Sequence, residues 1–328
     1  MKALVTGATG FIGGNLAREL LAGGAEVRAL TRPKGDRRAI EGLNVEVAEG
    51  DLLDKGSLGR AMAGCDTVFH VGAVYAFWPP NHELIYRTNV EGTTNVLAAA
   101  KAQGVRQVVH TSSCSTVGIR KDKQPADETA QAGSDDRIKG YKDSKYLAEQ
   151  AAMRCAKEGM RVVVVNPTTP IGPWDVKPTP TGRIVVDFLK GRMFGYLNTG
   201  LNLVHVRDVA RGHILAAEKG HSGERYLLGN RNMMLKEVFA ALGQITGRRP
   251  PKLRVPYAAA LGFAYVDELI EGRLLRKRPT AAVGEVKLSR KHMYFDGSKA
   301  VRELGMPQTP VEEALKESVH WFKAHGYV

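Results

Sequence analysis

Tyr141-Lys142-Asp143-Ser144-Lys145 sets a phenol and an ammonium four residues apart. On a helix that begins at Tyr141, both side chains leave from one face. A phenol with a pKa of ~10 is a poor base at neutral pH. An ammonium beside it favours the phenolate, so the pair has the make-up of a general acid/base acting on an oxygen. YxxxK is common on helices, and its meaning comes from its surroundings. Upstream, Thr111-Ser112-Ser113 closes a strand-like run and offers a hydroxyl to the same reacting oxygen.

A second constellation lies at the start. Thr6-Gly7-Ala8-Thr9-Gly10-Phe11-Ile12-Gly13 follows the first strand pattern and opens the first helix pattern. Glycines at 7, 10 and 13 let the backbone turn tightly and approach a pyrophosphate. The amides around Phe11 and Ile12, at the positive end of a helix, then face that anion. A glycine triplet alone is weak evidence, and its place between the first strand and first helix of an alternating chain makes it strong. The end of the second strand chooses the dinucleotide. An acidic residue there suits the ribose hydroxyls of NAD. Here Thr31 is followed by Arg32, with Lys34, Arg37 and Arg38 close behind. A guanidinium holds a 2′-phosphate bidentately, so NADP(H) is the preferred cofactor, with NAD(H) admissible.

These residues need a frame, and the hydrophobic pattern supplies one. Strand-like runs fall at Lys2–Thr6, Glu26–Thr31, 45–48, 67–71, Gln107–Thr111 and 161–166. Amphipathic segments such as Phe11–Ala22 and 88–103 lie between them. Continuous apolar strands and strand–helix alternation predict an α/β fold, a doubly wound parallel sheet of the Rossmann kind. Residues 1–170 form its dinucleotide-binding part, with 204–230 returning to it. Residues 167–182 read as loop, and 171–203 with 231–328 read as a smaller, mostly helical substrate lobe.

Composition narrows the rest. No run of 18 or more uncharged apolar residues suggests a spanning helix. The first residues go directly into a strand pattern without a signal sequence, which points to a cytoplasmic enzyme. Three scattered cysteines carry no metal spacing, so no metal is expected. The net charge of +13 comes without a nucleic-acid recognition motif, and no nucleic-acid partner is expected. Between Arg248 and His292 there are 11 Lys/Arg against 4 Asp/Glu. Residues 257–277 read as a basic amphipathic helix that touches the inner membrane surface, against the plainer reading of a lobe-packing helix with a solvated end.

The glycine turn, Ser113 with Tyr141 and Lys145, Asn89-Val90-Glu91-Gly92-Thr93 and Asn166-Pro167 together resemble the extended short-chain dehydrogenase/reductases. A closer similarity is to the hopanoid-associated sugar epimerases, through Thr168-Thr169-Pro170-Ile171-Gly172-Pro173, Lys177 to Arg183, Thr199 to Val206, and the ending from Ser298 to Phe322. The resemblance implies that Tyr141 is the acid/base. Lys145 binds the nicotinamide ribose, and Ser113, with Ser112 as neighbouring alternative, binds the substrate oxygen. Asp51 and Leu52 edge the adenine, Ala73 lies along the cofactor, and Asn166 and Thr168 line the nicotinamide end. It implies a homodimer through 88–103 and Tyr141–Lys157, and a place in hopanoid-associated sugar or lipid metabolism.

On the substrate side, Tyr75, Phe77 and Trp78 follow the fourth strand, where ligand crevices form. Arg183 is a candidate for a substrate phosphate or carboxylate, and His205 reads as structural. Leu201 stands where uridine-diphosphate-sugar epimerases carry an Arg, which argues against that substrate. Three functions follow: carbonyl reduction of a small-molecule or lipid-linked substrate, epimerisation without net redox change, and non-catalytic dinucleotide sensing.

Overall fold

The computed structural model describes residues 1–75, 81–120, 122–133, 140–275, 277 and 279–328. Among them, strands β1 (Lys2–Thr6), β2 (Glu26–Thr31), β3 (Glu46–Glu49), β4 (Thr67–His70), β5 (Gln107–Thr111) and β6 (Val162–Pro167) belong to one sheet. The strands β7 (Thr169–Ile171), β8 (Gly195–Tyr196) and β9 (Gly200–His205) lie outside it, and β10 (Arg225–Leu228) returns to it. The sheet is seven-stranded and parallel, in the order β10-β6-β5-β4-β1-β2-β3. The chain therefore reverses direction across the sheet between β1 and β4, and ligand crevices of doubly wound sheets open at that point.

Strand alternation sorts the core into two layers. Val163 and Val165 of β6 join Val109, Ala3 and Val5 on one face, under α1 (Phe11–Ala22). Val162 and Val164 join Val108, Leu4 and Val68 on the other, under α2 (Lys55–Met62), α4 (Gly92–Ala102) and α5 (Tyr141–Lys157), with α3 (His82–Tyr86) against α5. Each buried valine contributes on the order of 1.5–3 kcal/mol, which is why β6 reads as an unbroken apolar run.

The smaller lobe has α6 (Pro180–Leu189), a three-stranded sheet β11-β9-β7 in which β11 is Arg231–Met234, α8 (Leu235–Thr246) and a two-stranded ribbon of β12 (Leu253–Arg254) with β8. The helices α9 (Tyr257–Asp267), α10 (Val283–Leu288) and α11 (Val311–Ala324) complete it, while α7 (Val206–Lys219) packs on α1. Phe188, Phe239, Leu242, Leu315 and Phe322 form its own apolar core.

Several expected boundaries move. The stretch read as loop contains β7, a strand too short to show alternation. The return to the large sheet starts at α7, because β9 pairs with β7 and β11 instead. Residues 88–103 do not form one α-helix. Arg87–Glu91 winds as a π-helix before α4, and the helix expected over 257–277 becomes π-wound at Glu268–Leu274.

Candidate active site

Gly7 ends β1 in the left-handed region at φ +71°, and a Cβ there would stand 2.6 Å from Gly72 Cα at the end of β4. A Cβ on Gly13 would meet the Gly7 carbonyl at 2.2 Å. The turn is closed by Gly10 N donating to Gly7 O at 2.9 Å. Gly10 is exposed, and no side chain caps α1. The first amides of that helix, from Phe11 to Gly13, thus stay available at its positive end. Such an uncapped, side-chain-free cradle fits a pyrophosphate.

Neighbouring residues frame the same crevice. A Cβ on Gly72 would lie 3.4 Å from Leu52 Cδ1, and Asn95 holds the Leu52 carbonyl at 3.1 Å. The Asp51 carboxylate accepts from Leu53 N at 2.9 Å and is half-buried. Ala73 is exposed beyond Gly72. At the end of β2, Thr31 is buried with an unpartnered hydroxyl. Of the four nearby cations, Arg38 pairs with Asp36 and Arg37 with Glu49, each at 2.8 Å. The Arg32 side chain is exposed and has no hydrogen bond or ion pair among the described residues.

The catalytic candidates come together one turn apart on α5. Tyr141 is its first residue, after Gly140 at φ +108°. Burial raises the Tyr141 phenol above its usual pKa, and a hydrogen bond with the Ser113 side chain opposes the rise. Ser113 is fixed by the tight turn Cys114–Thr116, where its Oγ accepts from Ser115 N at 3.1 Å. The Tyr75 ring meets Tyr141 edge-on, with centroids 4.6 Å apart. Lys145 is 4% exposed and donates from Nζ to the Thr111 carbonyl at 2.6 Å. Burial brings its pKa down to about 8, against the field of Glu149.

Glu149 continues that helical face inward and is fully buried. It pairs with Arg225 of β10 at 3.0 Å and accepts from Thr116 Oγ1 at 2.7 Å and Asn166 Nδ2 at 2.8 Å. The Asn166 side-chain oxygen is buried without a hydrogen-bond partner among the described residues. The amide also reaches the Ser113 carbonyl at 3.1 Å, so it holds the serine turn in place. Thr168 is half-buried and hydrogen-bonds the Leu228 carbonyl at 3.3 Å.

Another buried amide, named above only as part of the 89–93 motif and given no role, completes the frame. Asn89, in the π-helical turn, accepts from Val74 N at 2.7 Å and donates to Ser144 Oγ at 2.9 Å. It ties the loop after β4 to the start of α5. The signal was available, because an Asn inside an apolar helical pattern needs partners. Beneath Lys145 lie buried histidines. His70 sits between Thr6 and Thr93, and its pKa falls to about 3 through burial and then the Lys145 charge. His213 Nε2 accepts from Thr111 Oγ1 at 2.8 Å while Nδ1 donates to the Val209 carbonyl.

His205 is fully buried and caps α7 through Nδ1, which fits its structural reading. Arg183 lies half-buried on α6, where its charge acts on the buried Asp175. Leu201 packs partly buried against the apolar core of the smaller lobe. Phe77 and Trp78 lie outside the described residues.

A Rossmann sheet with a glycine cradle at its switch point, and a Tyr/Lys pair on one helix beside it, defines a dinucleotide-dependent enzyme class. The sequence profile of the NAD dependent epimerase/dehydratase family matches residues 3–229, and the chain belongs to that family. A Synechocystis sp. protein, provisionally named a dihydroflavonol 4-reductase, is 48% identical over 328 residues, covering 99% of this chain and 95% of its own. Sterol demethylase protein B of Methylococcus capsulatus is 34% identical and covers 100% of both chains. Among solved structures, the crystal structure of gox2253 superimposes with a TM-score of 0.88 at 42% identity, covering 99% of each chain.

Proposed function

We propose that this chain is an NADPH-dependent reductase of a ketone carried on a bulky apolar, polycyclic skeleton. The observation that carries the reading is the hydroxyl pair. The Tyr141 phenol hydrogen-bonds the Ser113 side chain under the edge of the Tyr75 ring, and burial pushes its pKa up. A protonated phenol beside a second hydroxyl is arranged to meet a carbonyl oxygen and deliver a proton to it.

Gly7, Gly10, Phe11, Ile12 and Gly13 would hold the pyrophosphate, Asp51 and Leu52 the adenine side, and Arg32 the 2′-phosphate. Ala73 and Thr168 would lie along the remainder. When bound, the nicotinamide supplies the hydride. Tyr141 gives its Oη proton to the substrate oxygen, and Ser113 Oγ steadies that oxygen. Lys145 places a positive charge behind the phenol, and the Thr111 carbonyl fixes its direction. Asn166 and Glu149 hold the Ser113 turn. Tyr75 shields the reacting oxygen from water.

Apolar substrate chemistry is supported by Leu201, which puts hydrocarbon where a diphosphate clamp would need a cation. It is also supported by the flavonoid and sterol substrates in the names of the full-length relatives. A hopanoid-like triterpenoid falls in this substrate class. The test is NADPH oxidation against a panel of polycyclic ketones and of nucleotide sugars, with wild type and Tyr141→Phe. Turnover of a polycyclic ketone, reduced about 10²-fold or more by the substitution, is the expected result. Turnover confined to nucleotide sugars would overturn the reading.

A further inference from the structure

The helix α9 and the π-helical segment Glu268–Leu274 carry an apolar surface that no other part of the described chain covers. Phe263, Tyr265, Val266, Leu269, Ile270, Leu274 and Leu275 are each roughly half exposed or more, reaching 71% at Leu274. Seven large apolar side chains on thirteen consecutive residues exceed the scattered exposure normal for a surface. The ribbon that runs directly into α9 exposes two more, Phe194 at 78% and Leu253 at 59%.

The charges on this segment are sorted by direction. Two of its acids turn inward. Asp267 is buried and accepts from Ala281 N at 2.8 Å, and Glu268 accepts from Val283 N at 2.7 Å. Glu271 accepts from Thr280 Oγ1 at 3.4 Å. The bases face out. Arg248, Arg249, Lys252 and Arg254 are exposed before the helix, and Arg273 and Lys277 at its end. Lys287 and Arg290 stand over the rings of Tyr265 and Tyr257, at 5.8 and 5.2 Å. The exposed apolar run is therefore flanked in sequence by exposed cations, with Lys287 and Arg290 beside its rings.

We propose that α9 and the segment after it dock this chain, apolar face down, on an anionic phospholipid bilayer. The geometry matches what an interfacial helix needs: hydrocarbon to enter the acyl boundary and cations to meet the headgroups. Acids tied back to the lobe remove the repulsion that would oppose such contact. Among the described residues no helix is long and apolar enough to cross a membrane, so the contact is peripheral. Resting on the reductase reading, one consequence follows: a lipophilic ketone would be met where it partitions. The docking itself does not depend on that reading.

The test is co-sedimentation of the full chain with vesicles of phosphatidylcholine alone or mixed with phosphatidylglycerol. No substrate is used, so failure here is separate from failure of the reductase assignment. The expected result is pelleting with the anionic vesicles, weakened by high salt. A Leu269→Glu/Leu274→Glu variant is expected to bind about tenfold or more weakly, with unchanged melting and NADPH binding. Absence of pelleting, equal pelleting with neutral vesicles, or unchanged binding by the variant would overturn the proposal. So would a concentration-dependent dimer that the variant abolishes, because the surface would then belong to a second copy of the chain.

Discussion

Replacing Lys145 with methionine should leave the fold at least as stable while removing its chemistry. The ammonium is 4% exposed, and its pKa falls from 10.5 to about 8 because burial penalises the charge. Each pKa unit corresponds to about 1.4 kcal/mol, so charging Lys145 costs on the order of 3 kcal/mol more in the native state than in the unfolded chain. Methionine has similar length and no charge. It gives up the charge-assisted hydrogen bond to the Thr111 carbonyl, a loss of about 1.5–3 kcal/mol. The two terms nearly offset, leaving a change between about zero and a gain of about 1.5 kcal/mol.

The pH dependence makes this test specific. Between pH 8 and 10.5 the native lysine has shed its proton and the unfolded lysine has not. Wild-type stability should therefore gain from this group as pH rises through that window, and the variant should lack the gain. Urea unfolding of both proteins below and above the window reads the difference directly. A variant several degrees less stable than wild type, or a difference that ignores pH, would show that the Lys145 charge is not strained by burial. Turnover should meanwhile fall by about 10²-fold or more.

Gly13→Ala should weaken NADPH binding by about tenfold or more in a fluorescence titration, because its Cβ would collide with the Gly7 carbonyl at 2.2 Å. Arg32→Ala should cost NADPH about tenfold in affinity and leave NADH unchanged by the same titration. Acid should destabilise the fold through His70 and His213, whose native pKa values lie at about 3 and about 4 against 6.5. The unfolded chain binds those protons first, so stability falls as pH drops below 6.5. The His213 contribution is on the order of 3 kcal/mol, and His213→Gln should flatten that part of the denaturation profile.

The large sheet was legible because its strands are buried on both faces and announce themselves as β-branched runs. The glycine turn and the Tyr141/Lys145 pair were legible because local spacing determines their geometry. What escaped depended on contacts distant in sequence. Glu149 meets Arg225 across 76 positions, and no periodicity marks that pair. Asn166 meets the Ser113 carbonyl across 53 positions, and only the fold shows that contact. The β11-β9-β7 sheet draws on a three-residue strand inside a Pro- and Thr-rich stretch. At Arg87–Glu91 the apolar pattern predicted an α-helix, whereas the π turn aims Asn89 at Val74 and Ser144. Substrate recognition was the least legible, because it rests on loops and on a lobe assembled from separate pieces.

The most direct test follows deuterium from nicotinamide-labelled NADPH into product, with a polycyclic ketone as substrate. One NADPH should be oxidised for each alcohol formed, with the deuterium on the new carbinol carbon and the reaction lost in Tyr141→Phe. An isomerised product formed without net NADPH oxidation would contradict the reductase reading, because the same hydroxyl pair would then be serving an epimerase.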